Sequence, residues 1–242
     1  MSEYLERITG VLNEIENTQG AAIKQAAEKV AETIENDGLI YVFGCGHSHI
    51  PALDTFYRAG GLANVSAMLD TDLMLHNGAA KSSRMEKMKG IGAEIFRRYK
   101  VEKRDMLFVF SLSGKNEVPC EVADSARAAG VFTAGVSSSA YFGKGGKLHD
   151  HVDLHIDCRV PYGDACISID GESGEDVEND AKMGGLSTAA FCFILNSALI
   201  EGAKIAAARG VKVPVYLSGN VDGGREHNIV LEDKYLGRVK HL

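Results

Sequence analysis

The sequence predicts an α/β protein built on a parallel β-sheet. Residues 39–43 and 106–110 are short apolar runs with the β-branched and aromatic content of buried strands. Each run is followed by a polar turn and then by a segment with helical periodicity. Two strand–turn–helix units in one chain favour parallel strands joined by right-handed crossovers, with ligands bound above the carboxyl ends of the strands.

Length and composition indicate one globular domain. The chain has 242 residues, of which 45% are hydrophobic and 24% are charged. We expect an N-terminal helical pair (1–36), a core (38–209) and a C-terminal tail (210–242). A net charge of -7 argues against binding to nucleic acid or to an anionic membrane surface. The first residues lack a basic-then-apolar signal pattern, which predicts a cytoplasmic protein, and the five cysteines form no C-x-x-C pair.

The first third of the chain should contribute helices around the first strand. Two apolar stripes, separated at Gln19 and Gly20, predict two N-terminal helices that bury these stripes on the sheet or on another subunit. After the strand at 39–43, a turn at 44–49 leads into a helix starting near Pro51. Residues 64–68 fit a third strand, and Ser82 and Ser83 could cap a helix over 84–99.

The turn after the strand at 106–110 has the composition of an anion site. It contains Ser111, Ser113, Lys115 and Asn116, and it leads into a helix over 117–129 that Gly130 terminates. Unpaired backbone N–H groups and the helix dipole favour an anion at this position, and the serine and asparagine side chains supply neutral donors. A phosphate or sulfonate fits these donors.

The second half of the chain predicts two more strands, a long helix and a tail. Residues 131–136 fit a strand, and 151–157 alternate as in an edge strand or a strand with a solvated face. The acidic stretch in 159–180 is interpreted as a solvated loop. The uncharged stretch 183–200 is interrupted by polar residues, so 185–209 is predicted to be a core or subunit-interface helix, not a membrane span. The tail, 214–242, is expected to be extended, and its polar residues include His227 as a further site candidate.

The two turns together resemble those of the SIS (sugar isomerase) domain family. The motifs are GCGHS at 44–48 and SLSGKNE at 111–117, each following a strand. The resemblance implies a three-layer αβα fold with a five-stranded parallel sheet, assembled as a homodimer or homotetramer. It also implies a phosphate site formed by Ser48, Ser111, Ser113 and Asn116, with Lys115 at a position that varies in the family. Phosphoheptose isomerases and N-acetylmuramic acid 6-phosphate etherases are the most similar groups.

The resemblance does not fix the catalytic residues. Both groups have a glutamate in the helix after the first turn, where this chain has Tyr57 or Arg58. Glu86 falls at the place of the second etherase glutamate and is the candidate base. Arg58 could replace a catalytic group or pair with Glu86, and Glu86 could equally be a solvated helix carboxylate.

Three histidines are candidates for polarising the carbonyl or opening the sugar ring: His47, His49 and His76. We expect no cofactor, although His47 and His49 could bind a divalent metal together with Asp54 or His76. The predicted function is an aldose–ketose isomerase, or a related lyase, acting on a phosphorylated or otherwise anionic sugar. The alternative is a phosphosugar-binding module without chemistry.

Overall fold

A computed structural model describes residues 1–169 and 181–242 and contains the predicted three-layer fold. A five-stranded parallel sheet has the strand order β2-β1-β3-β4-β5, and a separate antiparallel hairpin pairs β6 with β7. The strands are β1 (Ile40–Gly44), β2 (Val65–Met68), β3 (Met106–Phe110), β4 (Phe132–Ser137), β5 (Leu154–Asp157), β6 (Ala165–Ser168) and β7 (Lys182–Gly185). The helices are α1 (Glu3–Glu35), α2 (Ile50–Thr55), α3 (Ala79–Met85), α4 (Ile91–Arg97), α5 (Glu117–Ala128), α6 (Ser187–Ala208) and α7 (Gly224–Tyr235).

The strand order places β1 and β3 side by side at the centre of the sheet. Ile40 is in register with Met106, and every residue of both strands is buried. The chain leaves β1 towards β2 at one edge, and it leaves β3 towards β4 at the other. Such a change of direction opens a crevice at the carboxyl ends of the two strands, which is where doubly wound proteins bind ligands.

The predicted N-terminal helical pair is wrong, because α1 is one continuous helix of 33 residues. Gly20 lies within it on the exposed surface, with no atom near the position of a Cβ. A glycine costs a helix roughly 1 kcal/mol relative to alanine but does not break its hydrogen bonding. Packing of α1 against α6 supplies the missing stability, through a core cluster that includes Ile23, Val30 and Ile194.

The contact between α1 and α6 requires a glycine at position 202. A Cβ at Gly202 would lie 2.4 Å from Cγ1 of Val30 and 2.7 Å from the carbonyl oxygen of Ala27. We therefore expect Gly202→Ala to lower the free energy of unfolding by about 1–3 kcal/mol, as overpacked cores do. Urea unfolding measures the change. Gly20→Ala is the matched helical control and should leave stability equal or higher, since no atom obstructs that Cβ.

The helix predicted over 84–99 is divided into α3 and α4. Gly90 separates them in a left-handed conformation, with φ of 86°. The Glu121 carboxylate of α5 accepts hydrogen bonds from the N–H groups of Gly90 at 2.6 Å and of Gly92 at 2.9 Å. These two bonds satisfy donors at the start of α4, so a contact distant in sequence sets this helix boundary.

The C-terminal tail is not extended as predicted, because it contains α7. Leu231 and Tyr235 bury the inner face of this helix. Before α7, the backbone N–H of Gly60 donates to the carbonyl of Tyr216 at 2.7 Å, and that of Ala63 donates to Pro214 at 2.7 Å. The tail therefore covers the side of the molecule from which the chain enters β2.

Residues 159–180 were predicted to be a solvated loop, but they contain β6, which pairs with β7. The acidic residues at 170–180 lie outside the described part of the chain. The edge position of β5 confirms the first of the two alternatives predicted for 151–157. His155 is half-buried, since the Phe142 ring lies 5.4 Å and the His149 ring 6.0 Å from its own ring centre.

Among the described residues, α6 is the one helix long and apolar enough to cross a membrane by length and composition alone. The structure places it in the core, as the sequence predicts. Ala190, Phe191, Ile194 and Leu195 are buried in the cluster that α6 shares with α1 and the sheet.

Candidate functional site

The turn after β3, residues 111–116, is held by the backbone of neighbouring segments. The N–H of Ser111 donates to the carbonyl of Val136 at 3.0 Å, and the N–H of Gly114 donates back to Ser111 at 3.1 Å. Gly114 has a φ of 59°, which a glycine adopts without strain. Its carbonyl accepts the N–H groups of Lys147 at 2.9 Å and Leu148 at 3.1 Å. The position of the turn is therefore fixed before any ligand binds.

This β3 turn presents unused donors at the start of α5. Asn116 is the N-cap residue, yet its side chain makes no capping hydrogen bond. The backbone N–H groups of Ser113, Asn116 and Glu117 donate to no acceptor within the described residues. A 12-residue helix with free N–H groups at its start attracts an anion through these donors and through its dipole. The hydroxyls of Ser111, which is buried, and Ser113, which is half-buried, lie in the same turn.

The turn after β1, residues 44–49, closes tightly over Gly44. A Cβ at Gly44 would lie 2.0 Å from the carbonyl oxygen of Ser48 and 2.4 Å from its carbon. The N–H of Ser48 donates to Cys45 at 2.9 Å, and the Ser48 side chain is half-buried. Only glycine at position 44 permits this turn to bring Ser48 to the carboxyl end of β1.

Gly44→Ala should consequently displace the β1 turn. We expect loss of ligand binding together with destabilisation of roughly 1–3 kcal/mol or more, because the added methyl meets backbone atoms that cannot rotate away. Differential scanning fluorimetry measures the melting temperature, and titration with a sugar phosphate that the native protein binds measures the affinity. Gly143→Ala, where no atom lies within 4 Å of the new Cβ, is the control and should change neither quantity.

Glu86 lies at the end of α3 and is tied to α5. Its backbone carbonyl accepts the N–H of Val118 at 3.2 Å. Burial raises the pKa of the Glu86 carboxyl, and the charge of Lys87 and hydrogen bonding to Asn116 offset only part of this rise. The pKa of the buried Cys45 thiol is raised mainly by burial and further by the charge of Glu86. The structure thus brings Glu86 to both the β1 turn and the β3 turn, and it is not a fully solvated carboxylate.

The three candidate histidines differ in accessibility. His47 is exposed on the β1 turn. His49 is buried, and its Nδ1 is bonded to the Gly46 carbonyl, which leaves that nitrogen unavailable for a ligand. His76 is exposed on the short 3-10 turn Leu75–Asn77, which packs beside Gly46. His47 and His76 therefore remain as candidates for contacting a substrate, while His49 supports the turn.

Two other candidate site residues, Arg58 and His227, are bonded to residues outside the two turns. Arg58 forms an ion pair with Asp54 and also donates to the Asp54 carbonyl at 2.9 Å, so the alternative in which it pairs with Glu86 is wrong. His227 has its Nε2 2.9 Å from the carbonyl oxygen of Val215, in the tail beside the segment that enters β2. His227 is thus separated from the two turns by the length of the strands.

Lys115 and the proposed metal ligands are also placed by the structure. The Lys115 ammonium lies 5.5 Å from the centre of the Tyr141 ring and has no carboxylate partner in the described part of the chain. Asp54 is engaged by Arg58 and by Asn196 at 3.0 Å. Within residues 1–169 and 181–242, no three ligand-type side chains converge to hold a metal at His47. The residues present do not support a metal site there.

A further polar pair, which the sequence did not show to be in contact, borders the β3 turn. The Ser137 hydroxyl lies 2.8 Å from Nε2 of His155, and the side-chain Cβ of Ser137 would lie 3.5 Å from a Cβ at Gly114. Burial lowers the pKa of His155, which keeps the imidazole neutral at pH 7. Ser137 ends β4 just as Ser111 follows β3, and that repeated position was the signal available in the sequence.

Comparison with known proteins identifies the family of the chain. The SIS domain family profile matches residues 3–138. The chain is 40% identical to a UPF0309 protein of Caldanaerobacter subterraneus, over 99% of this chain and 98% of that protein. It is 38% identical to a UPF0309 protein of Halalkalibacterium halodurans, over 100% of this chain and 97% of that protein.

Solved structures confirm the predicted fold. A phosphoheptose isomerase from Francisella tularensis superposes with a TM-score of 0.54 at 17% identity, covering 82% of this chain and 94% of that chain. The sugar isomerase domain of an RpiR transcription factor from Sphaerobacter thermophilus gives a TM-score of 0.53 at 13% identity, covering 97% of both chains. The family profile and the two relatives establish that the chain belongs to the SIS domain family and, within it, to the UPF0309 proteins.

Proposed function

We propose that this protein binds a phosphorylated sugar across the β1 and β3 turns and interconverts its aldose and ketose forms, with Glu86 as the base. The observation that carries the proposal is the position of Glu86. Its carboxyl has a raised pKa and lies against Asn116, the N-cap residue of the anion-suited helix α5. A carboxylate base with a raised pKa, next to an anion site, is suited to proton transfer on a sugar phosphate.

The residues divide into binding and chemical roles. The phosphate group would accept hydrogen bonds from the Ser111 and Ser113 hydroxyls and from the free N–H groups at the start of α5. Ser48 would contact the sugar hydroxyls from the β1 turn. Glu86 would remove the proton from C2 of the open-chain aldose and return it to C1, while the hydroxyl proton moves from O2 to O1.

An exposed histidine would assist at the carbonyl end of the sugar. His47 and His76 both lie beside the β1 turn with their side chains exposed. Either imidazole could protonate the carbonyl oxygen as the enediol forms, or open the sugar ring before the transfer. The net charge of -7 is compatible with an anionic substrate because local donors, not the overall charge, form the site.

We extend the proposal to a homodimer or homotetramer. The helix α6 is mostly apolar, yet Ile200 is 52% exposed and Phe193 is only partly buried. An apolar helix side of this kind is typical of a contact between subunits. Light scattering coupled to size-exclusion chromatography measures the mass, and a monomer at micromolar concentration would contradict this part of the proposal.

Hydrogen exchange with solvent tests the proposed chemistry directly. Aldose phosphates of four to seven carbons are incubated with the protein in D2O and followed by ¹H NMR. Isomerisation through an enediol should incorporate deuterium at C1 or C2 of at least one sugar, with formation of the ketose. A lyase would instead release a new fragment, which the same spectra detect.

A non-catalytic phosphosugar-binding function is the second candidate. The specific observation in its favour is the helix after the β1 turn. Just after its end lie Tyr57, which donates to Glu232 at 2.8 Å, and Arg58, which pairs with Asp54. The resemblance to phosphoheptose isomerases and etherases implies a glutamate at this place. The RpiR structure is the sugar isomerase domain of a transcription factor. Saturable binding of a sugar phosphate without deuterium incorporation would support this candidate and contradict the first.

A further inference from the structure

A cavity of about 390 Å³ lies on the α4 side of the sheet, away from the two turns. Its wall includes Leu39 and Asp105, which precede β1 and β3, whereas the turns follow these strands. A five-residue strand is roughly 16 Å long, so about that distance separates the cavity from the candidate site. Its volume is within the range of pockets that hold small molecules, roughly 300–1,000 Å³.

Tyr41 brings an unpartnered hydroxyl to this cavity. Its side chain is 1% exposed, and the hydroxyl makes no hydrogen bond to any residue in 1–169 or 181–242. Tyr99, in the same wall, is fully satisfied, because its hydroxyl bonds the N–H of Leu69 at 2.8 Å, the Leu69 carbonyl at 3.1 Å and Nε2 of His241 at 3.0 Å. The Tyr41 hydroxyl is therefore available to a ligand.

Lys240 is a cation of the cavity wall that has no acidic partner in the described part of the chain. The Lys240 ammonium donates to the carbonyl of Arg98 at 3.3 Å and lies 4.6 Å from the centre of the Tyr99 ring. It forms no ion pair within the described residues, and burial together with the charge of Arg98 lowers its pKa. Arg98 pairs with Asp70 at 2.6 Å. An anion bound beside Lys240 would offset the repulsion between the Lys240 and Arg98 charges.

The two carboxylates of the wall are already occupied. Asp105 accepts the N–H of Leu39 at 2.7 Å and the N–H of Glu102 at 2.6 Å. The Glu102 carboxylate pairs with Arg104 at 2.8 Å. Neither one is paired with Lys240, so the cavity retains a positive character in a protein of net charge -7.

We propose that this cavity is a second ligand site, which binds a small organic molecule through a phosphate or carboxylate group. The anionic group contacts Lys240 and accepts a hydrogen bond from the Tyr41 hydroxyl, which burial keeps protonated. Binding gives a hydrogen-bond partner to the Tyr41 hydroxyl and an acidic partner to the Lys240 ammonium, and neither group has such a partner among the described residues. This site is independent of the proposed isomerase function.

Fluorine NMR of the protein labelled with 3-fluorotyrosine tests the proposal. The eight tyrosines give separate signals, and Tyr41→Phe assigns the signal of Tyr41. Inorganic phosphate and acetate are titrated separately, with sodium chloride holding the ionic strength constant. We expect a saturable shift of the Tyr41 signal, retained in the Ser111→Ala/Ser113→Ala double variant. Lys240→Gln should weaken the affinity roughly tenfold, and the exposed Lys212→Gln should not change it.

The two anions distinguish the sources of the ligand. A response to phosphate alone indicates a phosphorylated molecule, and a response to acetate alone indicates a carboxylic acid; each supports the site. Three results would overturn it: no shift of Tyr41 with either anion, the same shift with chloride alone, or loss of the shift in the serine double variant.

Discussion

Glu86→Gln should abolish isomerisation while leaving sugar-phosphate binding almost unchanged. The substitution keeps the shape and the hydrogen-bonding capacity of the side chain but removes the base. General base catalysis contributes roughly 10²–10⁴-fold to a rate, and kcat should fall by that factor. The binding constant should change little, because the phosphate donors of the β3 turn are intact. Turnover and calorimetric titration with the same sugar phosphate measure the two quantities.

The pH dependence of turnover and of stability in the native protein is a second test of the role of Glu86. Its pKa is raised in the folded protein, so turnover should increase with pH through a midpoint above the ordinary glutamate value of about 4.3. The native state then binds this proton more tightly than the unfolded state. The corresponding stability is present at low pH and is lost as the pH rises through the folded pKa. At pH 7, Glu86→Gln should therefore melt at the same temperature as the native protein or higher.

Glu94→Gln is the matched control for these measurements. Glu94 is an exposed carboxylate on α4 that pairs with Arg97. Its replacement should leave turnover, binding and melting temperature close to those of the native protein. Full activity of Glu86→Gln would remove Glu86 from the mechanism, and a marked loss of its stability would make it a structural residue.

The Ser111→Ala/Ser113→Ala double variant should lose most of its affinity for the sugar phosphate. Each lost charge-assisted hydrogen bond costs roughly 1–3 kcal/mol, so the dissociation constant should rise by about 30-fold or more. The fold should persist, because backbone hydrogen bonds hold the turn and the Ser113 hydroxyl adds only one long bond, from the N–H of Lys115 at 3.4 Å. Titration calorimetry measures the affinity, and circular dichroism checks the fold.

Ser125→Ala controls for the loss of a hydroxyl on the same helix. Ser125 donates to the carbonyl of Glu121 at 2.7 Å in the interior of α5, away from its first turn. Its affinity for the sugar phosphate should match that of the native protein. Unchanged affinity in the double variant would place the anion site elsewhere in the molecule.

The central sheet and its two turns were predictable from the sequence because their signals are local. An apolar run that ends in serine, glycine and asparagine specifies a buried strand, a tight turn and a helix start within a dozen residues. The observed β3 (Met106–Phe110) and α5 (Glu117–Ala128) agree with those predictions. A glycine is required at position 44 because a Cβ there would meet the Ser48 carbonyl.

Features that depend on distant contacts were not predictable. Continuity of α1 through Gly20 depends on packing against α6, and the break at Gly90 depends on Glu121 of another helix. The helix α7 has a weak apolar pattern and buries only Gly224, Leu231 and Tyr235, so its contacts with distant parts of the chain had to be seen in the structure. Among the site residues, the partner of Arg58 and the burial of Glu86 needed the structure, because both follow from how α2 and α3 pack.

A crystal structure with a bound sugar phosphate tests the central claim most directly. Crystals are soaked with the sugar that shows the tightest binding in the panel. The phosphate should lie within hydrogen-bonding distance of the Ser111 and Ser113 hydroxyls and of the N–H of Asn116, with the Glu86 carboxylate facing C1 and C2 at about 3 Å. A phosphate bound away from the β3 turn, or a sugar whose C1 and C2 point away from Glu86, would contradict the proposed function.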